Sequence, residues 1–486
     1  MAQTQLALFR ADASAAIGSG HVRRCLSVAA ALKRDGWTCR FAVGEESLTV
    51  VPELIAGDFE TRALKPAALR DPEELHRSAP EGCDLLVVDH YGLDRAYESS
   101  ARRFARQVLA IDDLADRDHD CDALVDATAG RNAGDYAAHV PARADLLLGP
   151  AYAPLRPEFA IARARRTTHS RDHRRMLINF GGTDPDDATG SVLAALSDMR
   201  LPADLHVDVV LGHGARHAAQ VTARISAMSD RFQLHLDAPD MVALLAASDI
   251  AIGAGGVSAL ERCCLGLPSI LIVIADNQRL VAASLAGAGA ARLARVGKDA
   301  AQQAIALLED RPAQRSMTTI AASLCDGRGA ARIAAWIDPE RAKDGAPVRL
   351  RPVTADDEAV TLAWQQQPET RRFARDARVP TPEEHRAWFA ARRIHPDCLY
   401  NIVLHGDEPA GTVRLDRRDG GWEVSIGIDA ARHGIGLGRS ALALARRLVP
   451  EAPLLAEILP GNDASRALFA RAGYAKDGPW YVNRPH

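Results

Sequence analysis

No C-x-x-C pair occurs among the eight cysteines of this 486-residue chain, and Cys263 and Cys264 are the one adjacent pair. Neither a disulfide scaffold nor a structural zinc site is therefore suggested, and the cysteines read as small buried residues. Long apolar runs are missing too. No window approaches the length of a membrane span, and Met1 to Phe9 lacks a basic start followed by an apolar stretch. Nor does one sign of charge dominate: 59 Lys and Arg against 63 Asp and Glu leave a net charge of -4. That balance gives no general reason to expect nucleic acid or an anionic membrane as partner. The expectation from these absences is a soluble, cytoplasmic protein.

What is present is ordinary globular composition, 47% hydrophobic and 25% charged, in a chain long enough for two or three cores. Short apolar runs at Leu85 to Val88, Val108 to Ile111, Met176 to Phe180, Val207 to Leu211 and Ile270 to Ile274 alternate with Ala- and Leu-rich helical stretches. Continuous runs of this kind fit parallel strands covered on both faces. The alternation restarts after Arg163 to Arg175, a stretch with six arginines that reads either as a phosphate-binding patch or, preferably, as a solvated linker. A second break, Asp338 to Pro347, is polar and bounded by Pro339 and Pro347. The expected domains are therefore 1–165 and 172–336, both doubly wound and Rossmann-like, then a linker over 337–347 and an α+β domain over 348–486.

Chemistry gathers where strands end. An apolar strand, Gln5 to Phe9, precedes Arg10, Asp12, the loop Gly18-Ser19-Gly20, and His21 at the head of an amphipathic helix. Glycines there let backbone amides approach an anionic ligand, and the helix start adds unpaired N–H groups and a positive dipole end. A histidine beside such an anion, with an ordinary pKa of about 6.5, exchanges protons at neutral pH. Asp89-His90-Tyr91 closes one apolar strand; Gly253 to Gly256 follows another and precedes Ser258 and Glu261; Asp276-Asn277-Gln278 follows a third. Four polar loops at strand ends point to one ligand cleft. Tyr91 is alternatively a packing residue, and Asp112-Asp113 a cap for the following turn. The run Asp116 to Asp122, with its histidine, reads as a solvated loop in preference to a metal site, and no metal is expected.

At Arg10 to Arg24, Asp89-His90-Tyr91, Ile111 to Leu114, Gly181-Gly182-Thr183-Asp184, Gly255 to Pro268 and Ala275 to Gln278 the chain resembles the UDP-2,4-diacetamido-2,4,6-trideoxy-β-L-altropyranose hydrolases of pseudaminic acid biosynthesis. The resemblance covers residues 1 to 336. It implies a glycosyltransferase-B type fold of two doubly wound domains, and inverting cleavage of the anomeric C–O bond by water to release UDP. It also implies His21 as the base that activates water, with Arg10 in the substrate site and Asp12 and Tyr91 orienting the sugar. The loops Gly18 to Gly20 and Gly181-Gly182, with Gly255, would face UDP, Glu261 would bind ribose hydroxyls, and Asn277 is a further contact.

In the third domain, a strand Trp422 to Ile428 precedes His433-Gly434-Ile435-Gly436-Leu437-Gly438 and a helix from Arg439 to Leu448. Glycine amides would again cradle a pyrophosphate. With Asn462 and Ser465 further on, this resembles the GNAT acetyltransferases over about residues 348 to 484. That implies acetyl-CoA bound by His433, Gly434, Gly436, Gly438 and Asn462. Two departures are visible: the loop's usual leading Arg or Gln is His433, and the tyrosine that often serves as general acid is Phe469, leaving Tyr474 and Tyr481 as candidates. Glu423 is a candidate to deprotonate the incoming amine through water, or an ordinary exposed strand carboxylate. The two resemblances imply consecutive steps: acetylation of a UDP-4-amino sugar, then removal of UDP. The rival readings are a glycosyltransferase of the same fold, a nucleotide-sugar sensor without turnover, and a degenerate acetyltransferase domain.

Overall fold

The computed structural model describes residues 4–14, 17–165, 173–182, 184–212 and 215–485. Most of the expected arginine-rich linker (166–172) and Thr183 lie outside the described residues. Residues 1–330 and 331–486 form two compact units.

The first unit holds two parallel sheets. Strands β1 (Leu6–Ala11), β2 (Thr38–Gly44), β3 (Glu60–Leu64), β4 (Cys83–Asp89), β5 (Ala105–Ile111), β6 (Ala123–Asp126) and β7 (Asp145–Leu148) run in the order β3-β2-β1-β4-β5-β6-β7. Central β1 is buried along its whole length, which is why it lacks polar alternation. Its Phe9 stacks on Phe41 of β2 with ring centroids 4.9 Å apart. Each fully buried Leu, Val or Phe of these strands contributes about 1.5–3 kcal/mol relative to exposure, so the continuous runs themselves drive the layering. The second sheet comprises β8 (Arg174–Asn179), β9 (Leu205–Leu211), β10 (Phe232–Leu236), β11 (Ile250–Ala254), β12 (Ser269–Ile272) and β13 (Ala291–Leu293), in the order β10-β9-β8-β11-β12-β13.

Both orders reverse once, between β1 and β4 and between β8 and β11. At such a switch point the following loops run to opposite faces and leave a crevice at the carboxyl ends of the strands. Topology thus sets the loop before His21 beside Asp89, and Gly181-Gly182 beside Gly255-Gly256.

The second unit is one mixed sheet: β14 (Glu340–Arg341), β15 (Pro347–Pro352), β16 (Cys398–His405), β17 (Glu408–Arg418), β18 (Gly421–Ile428), β19 (Leu454–Ala456), β20 (Ala475–Asp477) and β21 (Trp480–Asn483), in the order β14-β15-β16-β17-β18-β19-β21-β20. Alternate residues of β16 serve two cores: Leu399 and Val403 join the cluster under helix Leu437–Leu448, while Tyr400 and Ile402 join Trp364 and Phe389. The expected linker 337–347 is corrected here. Its Glu340–Arg341 pairs with β15, and the compact unit begins at Ala331, because Ala331 and Ala335 of helix Gly329–Ile337 pack onto the core under helix Leu437–Leu448. Polar composition concealed a short edge strand. Among the described residues no helix is long and apolar enough to cross a membrane.

Candidate active site

Helix Gly20–Arg34 starts with no side-chain cap and no acidic residue in its first turn, so its leading amides are left for water or a ligand. Gly18 takes φ +76°, a left-handed conformation that lets the chain turn back on Ser14 by two backbone hydrogen bonds. His21, in the first turn, lies against Asp89 at the end of β4. Its Nδ1 is 2.5 Å from Asp89 Oδ1, and Asp89 is fully buried. The opposite ring nitrogen, Nε2, has no hydrogen-bond partner among the described residues. This is the geometry of an oriented base: a carboxylate fixes the proton on Nδ1, so Nε2 keeps its lone pair for a proton from water.

Around this pair the structure gathers more groups. The Tyr91 ring meets the His21 ring edge-on with centroids 4.5 Å apart. Its hydroxyl donates to Asp113 Oδ2 at 3.2 Å and accepts from Asn277 Nδ2 at 3.1 Å. Arg24 reaches Asp89 through Nε (2.5 Å) and Nη2 (2.6 Å), and Asp113 through Nη1 (3.0 Å). Burial alone would push the Asp89 carboxyl up, but the charges of Arg24 and His21 outweigh it and hold it well below the ordinary aspartate range. His21, Tyr91 and Asn277 are thus brought together.

Arg10 and Asp12 are committed to each other and to neighbouring backbone. Strand β1 runs two residues beyond the expected end, so Arg10 belongs to the strand and its side chain is fully buried. The guanidinium is spent on both oxygens of Asp12 (2.6 and 2.8 Å) and on the Leu69 carbonyl (2.8 Å). Asp12 further accepts from the Gly44 amide at 2.7 Å and lies 3.3 Å from His90 Nε2, leaving it no face for a sugar. These two residues tie the end of β1 to the Leu69 carbonyl and to the Gly44 amide at the end of β2.

Of the glycine loops, Gly181 and Gly182 have open space around them. The helix behind them does not expose its amides, because Asp184 takes those of Ala188 and Thr189 and Asp187 takes that of Gly190. Helix Val257–Cys264 is different, with Gly256 at its cap, no side-chain cap and no acid in its first turn. A diphosphate therefore fits the start of Val257–Cys264 better than that of Ala188–Ser197. Gly255 has a packing role: a Cβ there would lie 2.9 Å from that of Ala282. Glu261, one turn into the helix, is partly exposed, and its carboxylate has no hydrogen-bond partner among the described residues. Burial raises its carboxyl, partly offset by Arg156, Arg262 and Arg23.

Asp112 caps its turn as expected, accepting from the Ala115 amide at 2.8 Å. Asp113 does not share that role; it joins the histidine site. Sequence reasoning missed Arg24 and Asp113 and saw Asp89 only as a strand-end polar residue. The available signal was the three-residue step from His21 to Arg24, which places both on one helix face. The run Asp116 to Asp122 is a loop with Asp116 and Asp118 exposed, and it also carries ion pairs: Arg102 pairs with Asp120 (3.0 Å) and Asp122 (3.2 Å), and buried His119 with Glu98 (2.8 Å). Three of the four described arginines of the 163–175 stretch are likewise engaged. Arg163 donates to the Cys264 and Cys325 carbonyls, and Arg174 and Arg175 pair with Asp204 and Asp208.

In the second unit β18 and β19 pair only at Trp422–Leu454 and Glu423–Leu455, after which the strands part. In the loop His433 to Gly438, Gly434 (φ +86°) and Gly436 (φ +97°) are left-handed, and helix Leu437–Leu448 begins without a side-chain cap. Lys343 steadies this loop, its Nζ donating to the Gly434 carbonyl at 2.7 Å. His433 turns its ring back to the Ile428 carbonyl (3.0 Å), and Asn462 caps helix Asp463–Arg471 through the Ser465 amide (3.1 Å). Gly438 lets that helix approach, since a Cβ there would lie 3.0 Å from Leu468. Glu423 is corrected: it is buried and ion-paired to Arg375 and Arg418. Burial would raise its carboxyl, but the two arginines hold it below its usual range, which makes it a poor base. Phe469 is core, packed edge-on against Tyr474, whose buried hydroxyl has no partner among the described residues. Tyr481 stands on β21, partly exposed.

The fold and sites define a double Rossmann-like α/β unit with an oriented histidine, joined to an α+β unit with a glycine loop for a nucleotide anion. Comparison with known proteins agrees. Residues 348–475 match the model of the Acetyltransferase (GNAT) domain. The spore coat polysaccharide biosynthesis protein SpsG of Bacillus subtilis is 26% identical over 342 residues, spanning 67% of this chain and 95% of that protein. MJ1062 of Methanocaldococcus jannaschii is 23% identical over 488 residues, 96% of each chain. The UDP-2,4-diacetamido-2,4,6-trideoxy-β-L-altropyranose hydrolase of Campylobacter jejuni is 29% identical over 178 residues, 36% of this chain and 60% of that protein.

Proposed function

We propose that the first unit hydrolyses a UDP-linked diacetamido sugar and that the second N-acetylates the preceding UDP-4-amino sugar from acetyl-CoA. The observation that carries the first half is His21, oriented by buried Asp89 and with Nε2 unengaged, at the switch point of the first sheet. In this reading Nε2 removes a proton from water as its oxygen attacks the anomeric carbon from the face opposite UDP. The C–O bond to the diphosphate breaks, and the charge on the departing UDP meets the open amides at Gly20 and Val257. Asp89 stabilises the imidazolium without taking its proton. Glu261 holds the ribose, and Tyr91 and Asn277 border the sugar.

The second half rests on the GNAT match, the parted strands and the left-handed glycine loop. The amine attacks the thioester carbonyl, and the thiolate of coenzyme A leaves. With Glu423 committed to two arginines, the amine loses its proton to solvent.

UDP release from UDP-2,4-diacetamido-2,4,6-trideoxy-β-L-altropyranose, with no acceptor sugar, tests the hydrolase. The wild type should turn over and His21→Ala should be slower by about 10²–10⁴-fold, the usual worth of a general base. Release that requires an acceptor would establish a glycosyltransferase instead, and tight binding without turnover a sensor.

A further inference from the structure

The groups behind His21 form a row of alternating charge: Asp113, Arg24, Asp89, His21. We infer that Arg24 and Asp113, which do not reach the reacting atoms, are positioning residues that set the proton affinity of His21 through Asp89. The inference deepens the hydrolase reading and rests on it only for the identity of the substrate.

The geometry is specific. Arg24 holds both oxygens of Asp89 at 2.5 and 2.6 Å, so the carboxylate that orients His21 is already neutralised by a guanidinium. The same Nη2 stands 3.1 Å from His21 Nδ1, where two N–H groups converge on Asp89 Oδ1. A positive charge at that distance opposes the imidazolium. Asp113, 3.0 Å from Arg24 Nη1, draws part of that charge away. With His21 neutral the row carries one net negative charge, and with His21 protonated it carries none. Arg24 therefore keeps the resting histidine free to accept a proton, which a bare aspartate–histidine pair would disfavour. Asp113 limits the effect, so that the imidazolium formed during the reaction is still tolerated.

Beside the row, Arg131 Nη2 donates to the Asp113 carbonyl at 2.8 Å while its Nε pairs with Asp126 at 2.5 Å. Cys25 Sγ lies 3.7 Å from Asp89 Oδ2, and the Tyr91 hydroxyl bonds Asp113 and Asn277. Arg117 lies over the far side of the Tyr91 ring and is paired with Asp112, and Arg23, next on the helix, is paired with Glu53. Each of these charges has its own counter-charge, which leaves Arg24 and Asp113 as the pair that biases His21.

The test uses two variants with opposite expected signs in the full-length protein. The titration midpoint of His21 is read by NMR on histidine-labelled protein, its resonance assigned by His21→Gln, alongside the acid limb of kcat/KM for UDP release. Arg24→Gln leaves Asp89 without its guanidinium partner and should raise the midpoint by about one pH unit or more. Asp113→Asn leaves Arg24 less compensated and should lower it. A purely structural role would move kcat without displacing the midpoint. An unmoved midpoint, or displacement of both in one direction, overturns the inference. Should Arg24→Gln fail to fold, Asp113→Asn decides alone: a midpoint that does not fall overturns it. If the wild type releases no UDP while the midpoints move apart, the substrate assignment fails and this inference stands.

Discussion

Replacing Asp89 by asparagine is the sharpest perturbation of the proposed chemistry, because it changes one atom and almost no volume. The carboxylate accepts three short contacts, from His21 Nδ1 at 2.5 Å and from Arg24 at 2.5 and 2.6 Å, with no exposure to water. An amide offers one accepting oxygen and an NH₂ that must donate, yet two of its three neighbours are guanidinium donors. The side chain should therefore turn its oxygen to Arg24 and its NH₂ to His21. Nδ1 then becomes an acceptor, and the ring proton moves to Nε2, the atom that needs a free lone pair. Activity should fall by about 10²–10⁴-fold, the full worth of the base, although His21 is still present. Breaking the buried ion pair should also cost about 3–5 kcal/mol of stability, moderated by Asp113, which retains its hold on Arg24. The assay is acceptor-free UDP release by folded protein, with thermal unfolding measured in parallel. A folded Asp89→Asn variant within a few-fold of wild-type activity would refute the reasoning, because His21 would then not depend on its tautomer.

Tyr91→Phe removes the bonds to Asp113 and Asn277 but keeps the ring against His21, so it should cost about 1 kcal/mol, under tenfold in kcat/KM. A loss as large as that of His21→Ala would instead make the hydroxyl part of the chemistry. Acid stability follows from Asp12 and Asp89. Burial raises both carboxyls, but for Asp12 the bonds to His90 and Arg10, and for Asp89 the charges of Arg24 and His21, hold them below their unfolded value. Groups depressed in this way contribute stability that is complete above the unfolded pKa, about 3.9, and lost as pH falls towards the folded one. Melting temperature should thus be insensitive to these groups near neutrality and drop below about pH 4, and the drop should be shallower in Asp12→Asn. Gly436→Ala places a Cβ at φ +97°, a strain of about 1–2 kcal/mol that should weaken acetyl-CoA binding about tenfold by calorimetry. Unchanged affinity would remove that loop from the acetyl-CoA site.

The layering of this chain was legible without coordinates, since continuous apolar runs such as Leu85 to Val88 have no stable place other than a sheet covered on both sides. The head of helix Gly20–Arg34 was equally legible, because glycines, a histidine and missing acids define that end by local chemistry alone. Roles that depend on distant neighbours were not. Arg10 and Asp12 look like ligand contacts in a string of letters, yet the run-on of β1 buries them against each other. Glu423 reads as a strand carboxylate and is committed to arginines 48 and 5 residues away. Asp113 and Arg24, 89 residues apart, share a site only because the sheet order carries β5 next to β4 and β4 next to β1. Local order is written in neighbouring residues, so the sequence determined the elements and the place of His21 at a helix head. Pairing of buried charges is decided by which strands lie side by side, and that belonged to the tertiary structure.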